Sequence, residues 1–152
     1  MTPTDPRAYG SGMRIAYGTD ERTPATDGLR THLEGAGHEV TLVADGLDWP
    51  DAGRAVGEAV AAGDADCGVV WCWTGTGVVM AATKVAGVRA ALCGDVETAR
   101  GARRWNDANV LALSLRTTSP AVLGEILDGW FEAGPGPDGE DAANIRHVDE
   151  IG

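Results

Sequence analysis

The chain alternates between short apolar runs and longer segments in which apolar residues recur at helical spacing. The run at 68–72 is continuously apolar, as is typical of a strand buried on both faces. Helices are predicted to begin at the cap residue Asp95 and at cap-and-proline signals such as Thr23–Pro24 and Ser119–Pro120, and to end before a glycine such as Gly37. The predicted strands are 13–18, 39–43, 68–72, 88–93 and 109–113, each followed by a helix, with a last short helix over 141–151.

Strict alternation of strands and helices predicts an α/β fold with a parallel sheet and right-handed crossovers. We expect one domain over 13–152, a five-stranded sheet in the order 2-1-3-4-5, and a flexible N-terminal tail over 1–12. In such a sheet, ligands bind beyond the carboxyl ends of the strands where the order reverses, here between the first and third strands. The residues after those two strands are therefore predicted to meet.

The stretch 68–77 is the predicted centre of the active site. Its apolar run ends at Cys72 and continues into a glycine-rich turn, WTGTG, and then into a predicted helix over 78–84. The N-terminus of a helix presents free N–H groups and a positive dipole end, which suit a phosphate or a developing oxyanion. A thiol at such a turn can be acidified. The spacing matches neither the Walker motif nor Gly-x-Gly-x-x-Gly, so a nucleotide-binding module is the weakest functional hypothesis.

Composition narrows the set of partners. The chain has 152 residues, of which 43% are hydrophobic, enough for a full core in one domain. Its formal net charge of −11 argues against nucleic acid and anionic membrane surfaces as partners. No apolar segment is long enough to span a membrane, and the N-terminus does not have the pattern of a signal peptide. Three cysteines without metal-ligand spacing indicate reduced thiols in a cytoplasmic protein with no metal site.

Several blocks occur together in an order and spacing that resemble the type B ribose-5-phosphate isomerases and the galactose-6-phosphate isomerase subunits. They are MRIAYGTD (13–20), DWPD (48–51), CWTGTG (72–77), AATK (81–84), GVRAALC (87–93) and NDANVL (106–111). The resemblance runs from about Met13 to Ile151. It implies a Rossmann-like three-layer α/β/α sandwich that forms a homodimer, with a tetramer as the alternative, and sites at the subunit interface. It also implies cofactor-free aldose–ketose isomerisation of a sugar phosphate through a cis-enediolate.

The resemblance assigns roles to individual residues. Cys72 corresponds to the base that moves a proton between C2 and C1, and Thr74 to a threonine that assists it. The glycine loop would hold the enediolate oxygen with its N–H groups. The substrate-binding residues implied by these matches, or standing at or near matched positions, are Asp20, Trp73, Gly75, Thr76, Gly77, Trp105, Asn106, Arg116, Arg146 and His147.

The chain departs from the family's pattern at several of these positions. Glu21 and Trp105 stand where the family has histidines, and the histidine replaced by Trp105 is the one that opens the sugar ring. Trp73 stands where glycine is usual, and the family's phosphate arginines fall on Ala143 and His147. We therefore expect a substrate other than ribose 5-phosphate, such as a short or open-chain sugar. The alternative is a sugar- or metabolite-binding relative that has lost catalysis.

Each candidate also has a purely structural interpretation. Cys72 would be a buried thiol, Thr74 a turn hydroxyl, Asp20 a helix cap and Asn106 a brace before the fifth strand. The tryptophans would pack in the core or at a helix entry. The last helix would either pack on a partner subunit or fold back on its own domain.

Overall fold

The structure, a computed structural model, describes residues 12–132 and 139–152. The predicted tail up to residue 11 and the segment 133–138 lie outside the described residues. The strands are β1 (Arg14–Thr19), β2 (Glu39–Asp45), β3 (Cys67–Cys72), β4 (Ala90–Leu92) and β5 (Val110–Ser114). The helices are α1 (Pro24–Gly35), α2 (Trp49–Ala61), α3 (Thr76–Thr83), α4 (Val96–Asn106), α5 (Pro120–Glu132) and α6 (Gly139–Glu150). No helix in this part of the chain is long and apolar enough to cross a membrane.

The sheet is parallel throughout, in the order β2-β1-β3-β5-β4. The predicted α/β/α sandwich is confirmed, but the predicted order of the last two strands is wrong. Every residue of β5 is buried, whereas β4 has three residues and is partly exposed. An inner strand needs both of its faces covered, so β5 pairs with β3 and β4 takes the edge. The reversal of order between β1 and β3 is where the sequence predicted it.

The two faces of the sheet carry different cores. On one face, α1, α4 and α5 pack over large side chains that include Trp71 and Trp130, both fully buried. The Trp71 indole N–H donates to Tyr17 Oη at 2.7 Å, so its polar atom is satisfied. On the other face, α2 and α3 pack over small side chains. A Cβ at Gly53 of α2 would lie 2.6 Å from the Val78 carbonyl oxygen, which shows how closely these two helices approach.

The predicted caps are present at two helix starts. Thr23 caps α1 in a reciprocal capping box with Thr26, with bonds of 3.3 and 2.9 Å. Asp95 caps α4 by accepting from the Thr98 N–H at 2.8 Å. Helix α3 differs from the prediction because it begins at Thr76, two residues early. The last two residues of the predicted glycine loop therefore belong to its first turn.

Helix α6 packs against α4 of its own chain. This matches the interpretation in which the last helix folds back on its own domain. Within the described part of α6, Ile145 is the buried side chain, and the remaining positions are exposed or half-buried. The contact of α6 with the domain core is therefore small.

Candidate active site

Cys72 is the last residue of β3, at the carboxyl edge of the sheet. Its side chain is 5% exposed, and its Sγ accepts a hydrogen bond from the Gly75 N–H at 3.2 Å. All three cysteines are free thiols. Burial raises the pKa of Cys93 to about 12, so that thiol stays neutral, and Cys67 is fully buried. Cys72 is buried as well, but its sulfur is bonded to the N–H of Gly75, the residue that forms the N-cap of the next helix.

The turn after Cys72 is narrow, and its geometry depends on glycine. Gly75 has φ +78° and forms the N-cap of α3. A Cβ there would lie 2.5 Å from Leu92 Cδ1 and 3.0 Å from the carbonyl carbon of Leu113. Because Gly75 has no side chain, no side-chain group caps α3, and the N–H groups of the first turn stay available to an anion.

Trp49 packs on this turn, a contact that the sequence analysis missed. Trp49 is the first residue of α2, as expected of a helix entry, but its ring also covers Gly77. A Cβ at Gly77 would lie 2.7 Å from Trp49 Cδ2. Both Trp49 and Trp73 are largely exposed, so their rings border the surface near Cys72. The last glycine of the CWTGTG block was the available signal, because it marks a place where another group approaches the backbone.

The segment after β5 is joined to the same turn. Leu115 N–H donates to the Cys72 carbonyl at 3.0 Å, and Arg116 N–H donates to the Trp73 carbonyl at 2.9 Å. Ser114, which the sequence analysis also missed, pairs with Cys72 in the sheet and donates its hydroxyl to the Trp73 carbonyl at 3.0 Å. The Arg116 side chain is exposed and makes no ion pair with any described residue. The backbone of Arg116 thus lies beside the turn that follows Cys72.

Asp20 lies at the same edge. Thr19 pairs with Trp71, so Asp20, one residue further, falls beside Cys72 and on the same face of the sheet. Its Oδ1 is buried and has no hydrogen-bond partner among the described residues. Burial raises the pKa of Asp20, and the nearby carboxylates of Glu21 and Asp48 raise it further. Thr23, and not Asp20, caps α1, so the helix-cap interpretation of Asp20 is wrong.

The hydroxyls of Thr74 and Thr76 bond to each other at 2.7 Å, and both side chains are exposed. They place two exchangeable protons on the turn. Within the described ranges, no group of three or more His, Cys, Asp and Glu side chains is arranged to hold a metal ion.

Four of the predicted substrate residues lie elsewhere in the same chain. Trp105 and Asn106 end α4, which runs back along the sheet and finishes at the amino end of β5. The five residues of β5 separate that end from Cys72 by about 13 Å. Arg146 and His147 are exposed on α6, which packs beside α4. In one chain, these residues do not meet Cys72.

A cavity of about 810 Å³ lies at this amino-terminal edge of the sheet. It is lined by Trp105 and Asn106 from the end of α4, by the segment 83–91, and by Ile145 and Val148 of α6. It does not reach Cys72. The Cys72 thiol and this cavity are therefore at opposite ends of the sheet.

Comparison with known proteins supplies the family. The chain matches the model described as Ribose/Galactose Isomerase over residues 15–151. It is 37% identical over 146 residues to galactose-6-phosphate isomerase subunit LacB of Clostridium acetobutylicum, covering 91% of this chain and 83% of that one. It is 35% identical over 104 residues to D-erythrulose-4-phosphate isomerase of Pectobacterium atrosepticum, covering 68% and 66%. Ribose-5-phosphate isomerase B of Clostridium thermocellum superposes with a TM-score of 0.84 at 35% identity, over 91% of this chain and 97% of that one. The sheet, the turn after Cys72 and these matches agree, and the chain belongs to the ribose/galactose isomerase family of sugar-phosphate isomerases.

Proposed function

We propose that the protein is a cofactor-free aldose–ketose isomerase of a sugar phosphate in which Cys72 is the base. One observation carries this proposal. Cys72 ends a central strand immediately before the N-terminus of α3, and its sulfur lies 3.2 Å from the Gly75 N–H. A sulfur base beside unpaired N–H groups suits a reaction in which a proton leaves carbon while charge builds on the neighbouring oxygen.

The reaction follows from that arrangement. The Cys72 thiolate removes the proton from C2 of the aldose, and the electrons of that bond move to the carbonyl, leaving negative charge on O1. The N–H groups at the start of α3 stabilise this cis-enediolate. The proton is delivered to C1, and the O2 hydroxyl proton passes to O1 as the C2 carbonyl forms. The Thr74–Thr76 hydroxyl pair supports that last transfer, Asp20 binds a substrate hydroxyl, and the unpaired Arg116 supports phosphate binding at this edge.

The substrate we propose is a short sugar phosphate that stays open-chain. Opening a ring needs a group that exchanges a proton near neutral pH, and the indole of Trp105 only donates its N–H. The relative named D-erythrulose-4-phosphate isomerase is named for a four-carbon substrate with its phosphate on O4. With O4 blocked, such a sugar has no hydroxyl that closes a five-membered ring. A four-carbon sugar phosphate would therefore need no ring-opening group here.

The complete site is proposed to form between two copies of the chain. Large apolar side chains are exposed around the Cys72 edge, among them Trp73, Met80 and Leu92, and exposed groups of this size mark an interaction surface. In a twofold dimer each copy offers the same two surfaces to the other. If the surface around Trp105 of one copy packs against Cys72 of the other, Asn106 and Arg146 of the first copy reach the substrate at that Cys72. Each dimer would then contain two sites.

The test is exchange of the C2 proton in heavy water, measured by NMR with aldose phosphates of four, five and six carbons. Wild type is expected to exchange the proton and form ketose, fastest with the four-carbon sugar. Cys72→Ala is expected to lose about 10²–10⁴ in rate, the range of a general base. Cys67→Ala, which changes the fully buried thiol at the amino end of β3, is the control and should retain activity.

Three results would count against the proposal or a part of it. Unchanged exchange in Cys72→Ala would remove Cys72 as the base. Binding of every sugar phosphate by wild type without turnover would favour the alternative, a binding relative without catalysis. A higher rate with ribose 5-phosphate than with the four-carbon sugar would contradict the substrate assignment alone.

A further inference from the structure

The Arg89 guanidinium joins two elements at the edge of the sheet opposite Cys72. Its Nε donates to the Asp107 carbonyl at 2.8 Å, and its Nη2 donates to Asp107 Oδ2 at 3.2 Å. Its Nη1 donates to both carboxylate oxygens of Asp149, at 3.0 and 3.1 Å. The side chain is 19% exposed. One planar cation thus binds the end of α4 with one side of its fork and α6 with the other.

The bonds from Arg89 to Asp107 fix the turn at the end of α4, next to two predicted substrate residues. Asp107 directly follows Trp105 and Asn106 and has φ +47°, and the next residue, Ala108, donates its N–H to the Ala102 carbonyl at 2.9 Å. Its second carboxylate oxygen accepts from Arg103 Nη1 at 3.0 Å in a buried ion pair. Held by two arginines, this turn has little freedom to change its direction.

The bonds from Arg89 to Asp149 hold α6, a helix that buries little of its surface. Asp149 lies in the last turn of α6, two residues after His147 and three after Arg146. Ile145 is the buried side chain of this helix within the described chain. The ion pair with Arg89 therefore links the last turn of α6 to the body of the domain.

The backbone of Arg89 is held in place by hydrogen bonds to Asn109. Its N–H donates to Asn109 Oδ1 at 2.7 Å, and its carbonyl accepts from the Asn109 N–H at 2.9 Å. Asn109 Nδ2 donates to the Gly87 carbonyl at 3.0 Å. These bonds lock the amino ends of β4 and β5 to each other, so a movement of α6 is not absorbed by a movement of the arginine.

We propose that Arg89 is a positioning residue for isomerisation. Its guanidinium sets α6 against the end of α4, so that Arg146 and His147 share one surface with Trp105 and Asn106. This inference rests on the proposed function, because that surface is the part of the site that each copy offers to its partner. We call the link from Asp107 through Arg89 to Asp149 the clamp. Its loss would weaken substrate binding and leave the proton transfer at Cys72 little changed.

Asp149→Asn tests the clamp because it breaks the ion pair between Arg89 and α6 and leaves the ion pair between Arg89 and Asp107 in place. It also removes a negative charge and frees a cation, so a purely electrostatic effect would lower KM for a phosphorylated sugar. A positioning role predicts the opposite, a KM about threefold to tenfold higher with kcat within about twofold of wild type. Asp149→Glu, which keeps the carboxylate, should restore most of the difference.

Glu132→Gln is the matched control. It breaks another exposed carboxylate–arginine pair, Glu132 with Arg100 at 2.6 Å, at the end of α5. Its KM should equal that of wild type. Amide hydrogen exchange should be faster across α6 in Asp149→Asn and unchanged in Glu132→Gln.

The outcomes separate the two proposals. If wild type turns over sugar phosphates and Asp149→Asn has an equal or lower KM, or unchanged exchange in α6, the clamp is overturned and the proposed function stands. If wild type turns over none of the sugars, the proposed function fails and the clamp falls with it. A raised KM with faster α6 exchange, both absent from the control, supports the clamp.

Discussion

The two edges of the sheet are built by different forces. At the Cys72 edge, backbone hydrogen bonds and contacts near the van der Waals limit hold the turn, with Leu92 and Trp49 packed against its glycines. At the opposite edge, ion pairs hold the end of α4 and an otherwise lightly packed α6. Steric contact fixes atoms to fractions of an ångström, whereas the partly exposed ion pair between Arg89 and Asp149 contributes modestly to the attachment of α6. The edge proposed to do the chemistry is therefore rigid, whereas at the edge proposed to bind the end of α4 is fixed by buried ion pairs and α6 is the more adjustable element.

The largest predicted effect is recovery of activity from two defective chains. Cys72→Ala and Asn106→Ala each damage a different edge, so each homodimer has two defective sites. In an equal mixture half of the dimers are mixed, and each mixed dimer regains one intact site of two, giving about a quarter of wild-type activity. The measurement is isomerase activity after co-refolding, with each variant refolded alone as the control. Absence of recovery despite mixed dimers would show that the two edges do not share a site.

Gly75→Ala is expected to disable the rigid edge. The substitution combines φ +78° with a Cβ 3.0 Å from the Leu113 backbone, so the turn must shift. Strain of this kind costs about 1–3 kcal/mol of unfolding free energy, and displacement of the α3 N-terminus should remove most activity. Urea unfolding and turnover measure the two effects. Gly94→Ala, where a Cβ meets nothing within 4 Å, should behave as wild type. Equal behaviour of the two variants would contradict the steric account.

Asp20→Asn is expected to stabilise the fold while it reduces activity. Burial raises the pKa of Asp20, so the folded state binds its proton more tightly than the unfolded state. The wild type therefore loses stability as pH rises from the unfolded value of 3.8 through the raised folded value. The variant should melt higher than wild type at pH 7, and the difference should vanish below pH 3.8. Identical melting temperatures at pH 7 would contradict this origin of the shift.

The smallest predicted effect concerns His38, away from both sites. Its ring stacks on Phe131 at 4.6 Å, and its Nδ1 accepts from the Met13 N–H at 3.2 Å. Burial lowers the pKa of His38, with a further contribution from His32, so the unfolded state binds the proton first. Stability is complete above the unfolded value of 6.5 and declines as pH falls through it. His38→Gln should flatten the dependence of melting temperature on pH between 7 and 5, and activity per folded molecule should stay the same. A variant with the wild-type slope would contradict the assignment.

Local signals predicted the elements well because they act over a few residues. Thr23 and Asp95 cap the helices for which they were predicted, and the apolar run that ends at Cys72 is a fully buried strand. The order of β4 and β5 was not predicted correctly, because it depends on which strand has more of its surface covered by helices. The contact of Trp49 with Gly77 depends on the close approach of α2 and α3, a tertiary property that no short pattern contains.

The candidate residues were recognised individually, but their distribution over the molecule was not. A motif match assigns a role to Asn106 without stating which end of the sheet it occupies. That follows only once α4 is seen to run back along β5 and finish at its amino end. The ion pairs of Arg89 were likewise not predicted, because its two partners, Asp107 and Asp149, lie 18 and 60 residues further along the chain.

The light attachment of α6 has a consequence for how the protein can change over generations. Substitutions on its outward side alter a surface that adds little to the folding free energy, so many of them are tolerated. A library randomised at Arg146 and His147 should therefore contain a large fraction of folded variants and can be selected directly for new sugar preferences. The same number of changes around Gly75 would mostly yield chains that do not fold.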